Sequence, residues 1–304
     1  MDKVKAMQTF VRIVEASSFT KAAESLNLPR ASLTATMQNL ERRLGAQLLQ
    51  RTTRRLSLTP DGERYYEQCA AILAAIESAE ADFVGPDARR MQGRLRIDLP
   101  GALGRAIVLP RIGEFRCAWP GIELAIGMGD RLVDLTAEGI DCALRVGSLP
   151  DSRLVARRIG LMRFVIAATP GYLARRGVPA AVDDLPEHDG IVHFSGRTGR
   201  AFDWELQQGE AVRKVTLKGG ISVNDAEANL ILARQGLGLA QLARYQVRGR
   251  EGELVEVLPG VYPTPMPVSL LYPQGRIANP RLQAFAGWLA QVFADDPDLR
   301  LAHD

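Results

Sequence analysis

Apolar residues in the first 83 positions recur mostly at helical spacing, and the breaks between them are as regular as the runs. Val4, Met7, Val11 and Val14 predict a first helix that starts after Asp2 as N-cap and runs to about Glu15. SSF at 17–19 breaks it. Thr20 can cap a short second helix, KAAESLN, which ends near Asn27, a residue that tolerates the left-handed conformation. Beyond Leu28-Pro29, LPRASLTATMQNLERRLG places Leu33, Met37, Leu40 and Leu44 on one side. Ala31, Thr34, Ala35, Gln38 and Arg42 point broadly the other way, and Gly45 stops the helix. That outer face has little charge until its C-terminal end, unusual for a helix that only has to stay soluble. Helix, short helix, tight turn, helix is the sequence form of a helix-turn-helix.

AQLLQRTTRRLSLTPDG reads next as a strand, a basic tip and a returning strand, with Leu56 and Leu58 alternating against Ser57 and Thr59. Such a hairpin would be the wing of a winged helix. From Pro60 to Phe83 the helical period returns: Tyr66, Cys69, Leu73, Ile76 and Phe83 keep apolar spacing, with Glu80 as the exception. A long isolated helix of this kind pairs with a copy of itself or packs along its own domain. GPDARRMQG at 85–93 is a Gly/Pro-bounded, charged linker.

From there strands and helices alternate. GRLRIDLP (93–100), IELAIGM (122–128) and DCALRVG (141–147) predict strands. Between them lie a helix interrupted by Pro110 and the helix DRLVDLTAEG. This order implies a parallel sheet with helices on both faces. LMRFVIAAT (161–169), GIVHFSG (190–196), KVTLKGGISV (214–223), ELVEVLP and MPVSLLYP (266–273) predict further strands. GYLARRG, AEANLILARQG and a closing NPRLQAFAGWLAQVFAD predict helices.

Composition narrows the class. The 304 residues, 46% hydrophobic and 24% charged, suit an ordinary globular protein of two or three domains. The net charge of +3 hides an asymmetry: residues 1–60 carry ten Lys/Arg against four Asp/Glu, and the remainder carries 28 against 31. A basic head on a slightly acidic body points to a polyanion as the head's partner, against a chance excess on a solvated face. The three cysteines, Cys69, Cys117 and Cys142, are scattered and odd in number, which suits a reducing cytoplasm. There is neither an export signal nor a stretch of about 18 uncharged apolar residues, so no membrane span is expected.

Enzyme signatures are poor. His188, His193 and His303 have no metal spacing with the cysteines, and HFSGR lacks the first Gly of a nucleophile elbow. GMGDRL and GLGLAQ each lack the third Gly of a dinucleotide fingerprint. Neither a metal nor an organic cofactor is expected, and no catalytic residue is assigned.

The run VKAMQTFVRIVEASSFTKAAESLNL, followed by SLTATMQNLERRLGAQLLQRTTRRLSLTPDGERYY, resembles the N-terminal segment of LysR-type transcriptional regulators. The SFT-KAA-L-L spacing, the L-x-x-LE-x-x-LG-x-x-L run and RTTRR-x-x-LT-x-x-G carry the likeness over about 65 residues. QGRLRIDLPG onward resembles the family's effector-binding domain, GMGDRLVDLTAEGIDCALRVGSLPDSRLVARRIG most of all. The resemblance implies an α/β protein: a winged helix-turn-helix at 1–59, a dimerising linker helix at 60–84 and a hinge at 85–92. A two-lobed periplasmic-binding-protein-like domain would follow at 93–304, with lobe I at about 93–163 and 268–304 and lobe II at about 164–267. It further implies double-stranded operator DNA and a small-molecule effector as partners and a homodimer or homotetramer, and leaves RNA polymerase open as another partner. Members often have Ser at the cap before the recognition helix and Arg on its outer face, where Pro29 and Ala35 stand here. A hydroxyl often follows their first effector-domain strand, where this chain has Leu99-Pro100-Gly101-Ala102.

Base readout would fall to Ala31 and Ala35 against thymine methyls and to Gln38 on adenine, while Thr34 would bond a base edge or a phosphate. Lys21 and Arg30 would meet phosphates, Arg51, Arg54 and Arg55 of the wing would contact backbone or enter the minor groove, and Thr20, Arg42 and Thr53 complete the expected DNA-binding set. Ligands of open α/β sheets sit beyond the carboxyl ends of strands. Those ends are Pro100-Gly101-Ala102, Gly129, Arg145-Val146-Gly147, Phe194-Ser195 and Asn224. Arg145 would pair an anionic ligand or serve an internal salt bridge, and Phe194 would line the cleft or the core. Two other readings stay open: a ligand-independent regulator whose body serves oligomerisation, and an enzyme on a binding-protein-like fold.

Overall fold

A computed structural model of the chain describes residues 2–16, 18–51, 56–83, 91–131, 134–149, 154–196, 198–209, 211–276 and 279–301. The Asp2 carboxylate accepts the N–H groups of Val4 and Lys5 at 2.9 and 3.2 Å and opens α1 (Lys3–Ala16) as expected. Its buried stripe, however, is Ala6, Phe10 and Ile13, with Val4, Met7, Val11 and Val14 only half-buried. The helix packs against the second, third and fourth helices of the head, so more than one face is covered and the bulkier stripe takes the centre. α2 (Phe19–Leu26) is capped by Ser18, whose hydroxyl accepts the Lys21 N–H at 3.3 Å. Thr20 is therefore not the cap but an exposed residue in the first turn, because the helix must begin early enough to bury Phe19.

Asn27 ends α2 at φ 52°, and α3 (Arg30–Leu44) ends at Gly45 with φ 67°, both left-handed as the sequence demands. Leu33, Met37 and Leu40 are buried, but Leu44 is 42% exposed. Leu48 and Leu49 close the core beyond Leu40 instead. The Glu41 carboxylate holds them there by accepting both their N–H groups, at 2.8 and 3.1 Å. The wing pairs β1 (Leu49–Arg51) with β2 (Leu56–Leu58) antiparallel, Leu49 opposite Leu58.

Thr59 does not complete the outer row of the wing. Its hydroxyl donates to the Gln47 carbonyl at 2.6 Å and accepts the Gly62 N–H at 2.9 Å, capping α4 (Pro60–Phe83). In α4 the thiol of Cys69 is buried in the head's own core and Tyr66 packs against it. These two members of the expected dimerisation stripe thus serve their own domain, while Leu73 and Ile76 lie further along, half-buried. The hinge expected at 85–92 lies largely outside the described residues.

Lobe I begins with β3 (Gly93–Leu99), whose Leu95, Ile97 and Leu99 enter one core. α5 (Gly101–Leu103), a π turn (Gly104–Val108), a 3-10 turn at Pro110 and α6 (Ile112–Ala118) follow. β4 (Ile122–Met128), α7 (Leu135–Glu138), β5 (Cys142–Val146) and β6 (Leu154–Met162) come next. Lobe II contains β7 (Phe164–Ala168), α8 (Pro170–Arg176), β8 (Asp189–His193), β9 (Trp204–Gln208), β10 (Ala211–Val215) and β11 (Lys218–Val223). It continues through α9 (Ala226–Arg234), β12 (Leu239–Ala243), α10 (Arg244–Val247), β13 (Val255–Val257) and β14 (Tyr262–Pro263). β15 (Met266–Pro273) and α11 (Pro280–Asp295) return to lobe I.

Lobe I is a sheet in the order β4-β3-β5-β15-β6, and lobe II one in the order β11-β8-β12-β7-β13. Neither is wholly parallel as expected: β15, β6, β7 and β13 run antiparallel to their neighbours, because the chain crosses between lobes on strands rather than through helices. The run LMRFVIAAT is accordingly two strands, broken at Arg163, and KVTLKGGISV is two as well, split after Val215. β15 already pairs with β6 at Met266↔Met162, two residues before the expected return. Alternation on β7 sends Ile166 and Ala167 into cores on opposite faces of the lobe II sheet.

Replacing Thr59 with Ala removes the cap of α4 and leaves the Gln47 carbonyl without its donor. The expected cost is about 1–2 kcal/mol, read as a lower urea midpoint with unchanged slope.

Candidate nucleic-acid interface and interlobe cleft

The core stripe of α3 fixes what the helix presents outward. Ala31, Ala35, Gln38 and Arg42, at helical spacing, are all exposed. Thr34 is half-buried, its hydroxyl donating back to the Arg30 carbonyl at 3.2 Å, so its methyl is the freer end. Arg42 donates to the Asn39 side chain at 2.9 Å. Thr20, Lys21 and Arg30 are exposed as well. Arg51 is the last residue of β1, with its side chain outside the described set; Thr53, Arg54 and Arg55 lie outside the described residues altogether. The face is thus small, weakly charged and flanked by cations, which suits a groove floor more than a phosphate ridge.

The second site lies between the lobes, at the carboxyl ends of β3 and β4 on one side and of β8 and β11 on the other. Pro100, Gly101 and Ala102 are buried at the end of β3, and the Gly129 N–H donates to the Leu99 carbonyl at 2.9 Å. On lobe II, the Phe194 N–H donates to the Val223 carbonyl at 2.8 Å, and Asn224 approaches Gly196. Phe194 and Ser195 are half-buried, and Ser195 Oγ accepts the Thr198 N–H of its own turn. Val146 and Gly147 are held against β15 at Val268 and Pro267, toward the interlobe crossing.

Arg145 serves the internal salt bridge. It is 6% exposed, and its guanidinium donates to Asp98 at 2.5 Å and to the Leu144 and Arg131 carbonyls at 2.7 and 3.1 Å. Three of its five N–H donors are thus committed inside lobe I.

The groups that do meet across the cleft were not picked out by the sequence. Arg105, on the π turn of lobe I, forms a two-pronged ion pair with Glu227 of α9 in lobe II, its Nε 2.7 Å from the carboxylate. Asp225 caps α9 through the Ala228 N–H at 2.7 Å. The Asp130 carboxyl is held above its usual range, first by loss of water and then by facing the Asp225 carboxylate; the Gly101 N–H and Arg145 pull the other way. Burial pushes the His193 imidazole below its ordinary value, against the attraction of Asp130 and Asp225, and its ring stacks on Phe202. Burial also pushes the Tyr245 phenol up, with Asp130 and Glu227 adding to the shift. The N-cap pattern of Asp225 directly after β11 was the one available signal for part of this cluster. No group of His, Cys, Asp and Glu suited to a metal is found among the described residues.

Two expectations follow. Asp98→Ala strands the Arg145 charge and should cost about 3–5 kcal/mol in urea unfolding, most of it recovered by adding Arg145→Met. For His193, the unfolded chain binds a proton more readily than the folded one, so stability is present at neutral pH and falls as pH drops through about 6.5. Melting curves between pH 7.5 and 5.5 should show that slope, shallower in His193→Gln.

Two family models match the chain. The bacterial regulatory helix-turn-helix protein, lysR family, matches residues 4–63, and the LysR substrate binding domain matches residues 88–294. The HTH-type transcriptional regulator YhjC of Escherichia coli is 40% identical over 298 residues, 97% of this chain and 99% of its own. An HTH-type transcriptional repressor of Pseudomonas aeruginosa is 37% identical, over 99% of this chain and 95% of its own. Among solved structures, CrgA, a LysR-type transcriptional regulator from Neisseria meningitidis, superposes with a TM-score of 0.60 at 28% identity. That match covers 94% of this chain and 97% of the other.

Proposed function

Because the chain belongs to the LysR family of bacterial helix-turn-helix regulators, we propose that it reads operator DNA through α3 and answers to a small molecule held between its lobes. It is a transcription regulator and not an enzyme, as its relatives are. The observation that carries the DNA-reading role is the outer face of α3: Ala31, Ala35, Gln38 and Arg42 exposed over an anchored apolar stripe. Laid in the major groove, the two alanines meet thymine methyls, Gln38 pairs with adenine and Arg42 and Thr34 touch the groove edge. Thr20, Lys21 and Arg30, with Arg51, Thr53, Arg54 and Arg55 of the wing, take the phosphates and set affinity.

The effector reading rests on the topology of the cleft and on the substrate-binding model over residues 88–294. Pro100, Gly101, Ala102 and Gly129 face Phe194, Ser195 and Asn224 across it in this proposal. A ligand preferred by one lobe angle over another shifts the balance of the two, and with it the placement of the heads in a dimer or tetramer. Leu73 and Ile76 of α4 are the side chains offered to that assembly. No helix among the described residues is long and apolar enough to cross a membrane, and we place the regulator in the cytoplasm with its operator, where RNA polymerase is a further partner. The Arg105–Glu227 pair across the cleft supports a second reading, a body that serves as an interaction platform without ligand.

Operator binding measured against salt tests the DNA interface. Arg30→Ala should weaken all sequences alike and lower the salt slope by about 1, whereas Gln38→Ala should cost about 1–3 kcal/mol on the preferred site and relax its sequence preference. Equal behaviour of both variants and wild type on specific and random DNA would remove α3 from the interface.

A further inference from the structure

α1 packs against α7, and α4 packs against α11 and the 3-10 turn Gln274–Arg276, so one face of the head lies on lobe I. They meet at the end of the lobe I sheet remote from the cleft. Asp141 immediately precedes β5, and Arg276 follows β15, which runs antiparallel beside it.

Charged side chains alternate in sign across this face. On the head, Arg12 Nε donates to the Ser25 hydroxyl at 2.6 Å and its Nη1 to the Glu15 carboxylate at 3.2 Å. From lobe I, Arg276 reaches Glu15 at 3.8 Å and Asp141 at 3.4 Å. Asp141 is fixed in turn, its second oxygen accepting the Arg96 N–H of β3 at 2.8 Å. The side chains of Arg12, Glu15 and Asp141 are 11, 10 and 12% exposed, which sets them apart from surface pairs that water screens. Shape agrees with charge. The Arg12 guanidinium lies on Gly139, which stands at φ 68°, and a Cβ at that position would overlap it. Tyr66 of α4 faces the same charges: its phenol is pushed up to about 12, first by burial and then by Glu15, against the pull of Arg276. The outer face of α3 takes no part, since Ala31, Ala35, Gln38 and Arg42 stay exposed in the docked head.

We infer that Arg12, Glu15, Arg276 and Asp141 form an ionic latch that docks the DNA-binding head on lobe I. In an oligomer joined through its bodies, the docked angle then sets the spacing at which operator half-sites are accepted. This second step rests on the reading of α3 as the DNA-reading helix. Arg276 is the centre of the latch: without its charge, the Glu15 and Asp141 carboxylates face each other with little water to screen them. Because α3 points away from lobe I, the latch positions the head and does not hide it.

Hydrogen exchange of the full chain, read by mass spectrometry, tests the docking from both sides. Arg276→Glu, a change in lobe I, should speed exchange in the second half of α1 by at least about fivefold. Glu15→Lys, a change in the head, should do the same in residues 135–141, where the Ile140 and Asp141 N–H groups donate to the Leu135 and Arg96 carbonyls. Exchange in α3 and β15 should keep its wild-type rate in both variants, which separates release of the head from loss of fold. Should Arg276→Glu fail that control, Glu15→Lys decides alone. On the DNA upstream of the gene, inserting about 5 base pairs, half a helical turn, between protected half-sites should weaken wild type at least about tenfold and Arg276→Glu less than about threefold. Unchanged exchange on both sides overturns the docking, and equal losses on the lengthened DNA overturn its role in spacing. Should wild type bind none of this DNA, the role given to α3 fails instead, and the exchange data still decide the latch.

Discussion

Lobe I cannot close without a strand that arrives after the whole of lobe II. β15 lies between β5 and β6, pairing with both, and brings Val268 and Leu270 into the core that β3 begins. The β6 edge would otherwise stand apart from β5, with a row of backbone groups unpaired. Lobe II is thus an insertion held at two short crossings, Arg163 and Thr264-Pro265. The position of the cleft, at the carboxyl ends of β3 and β8, descends from that arrangement.

The electrostatics of the body follow a related economy. Arg145 and Asp98 satisfy each other inside lobe I, on the sheet face away from its main core, and the pair keeps the carboxyl ends of β3 and β5 in register rather than waiting for a ligand. Arg105 and Glu227 do the corresponding work between lobes, but both are about half exposed, so water and salt screen that contact. A buried pair within a lobe and an exposed pair between lobes make the first a fixed part and the second an exchangeable one.

The head was the most legible part of the chain, since its helices are short and punctuated by residues with one local use: Asp2, Asn27 and Gly45 do what their types predict. The errors there came from partners that periodicity cannot see. Val4, Met7, Val11 and Val14 form a valid stripe, but α1 is covered on more than one face and Phe10 wins the centre. Cys69 fits a dimer seam by spacing, yet the head's own core reaches it first. In the body, many strand positions along the chain were readable, but β9, most of β6 and the order and direction of strands within the sheets were not, because pairing is set by contacts such as β15 with β5 and β6, between elements distant in sequence. The cleft was least legible: Arg145 was visible, but its partner lies 47 residues away in the chain. Asp130, Asp225, Glu227 and Arg105 become a cluster only when two lobes meet.

Thr59 ties the wing to α4, and Glu41 ties α3 to the wing, so recognition helix, hairpin and linker helix form one stiff piece. A helix of 24 residues is about 36 Å long. The same piece rests on lobe I, through contacts of α4 with α11 and through Glu15 of α1 facing Arg276 at 3.8 Å, so the head meets the body at a packed face as well as through the linker.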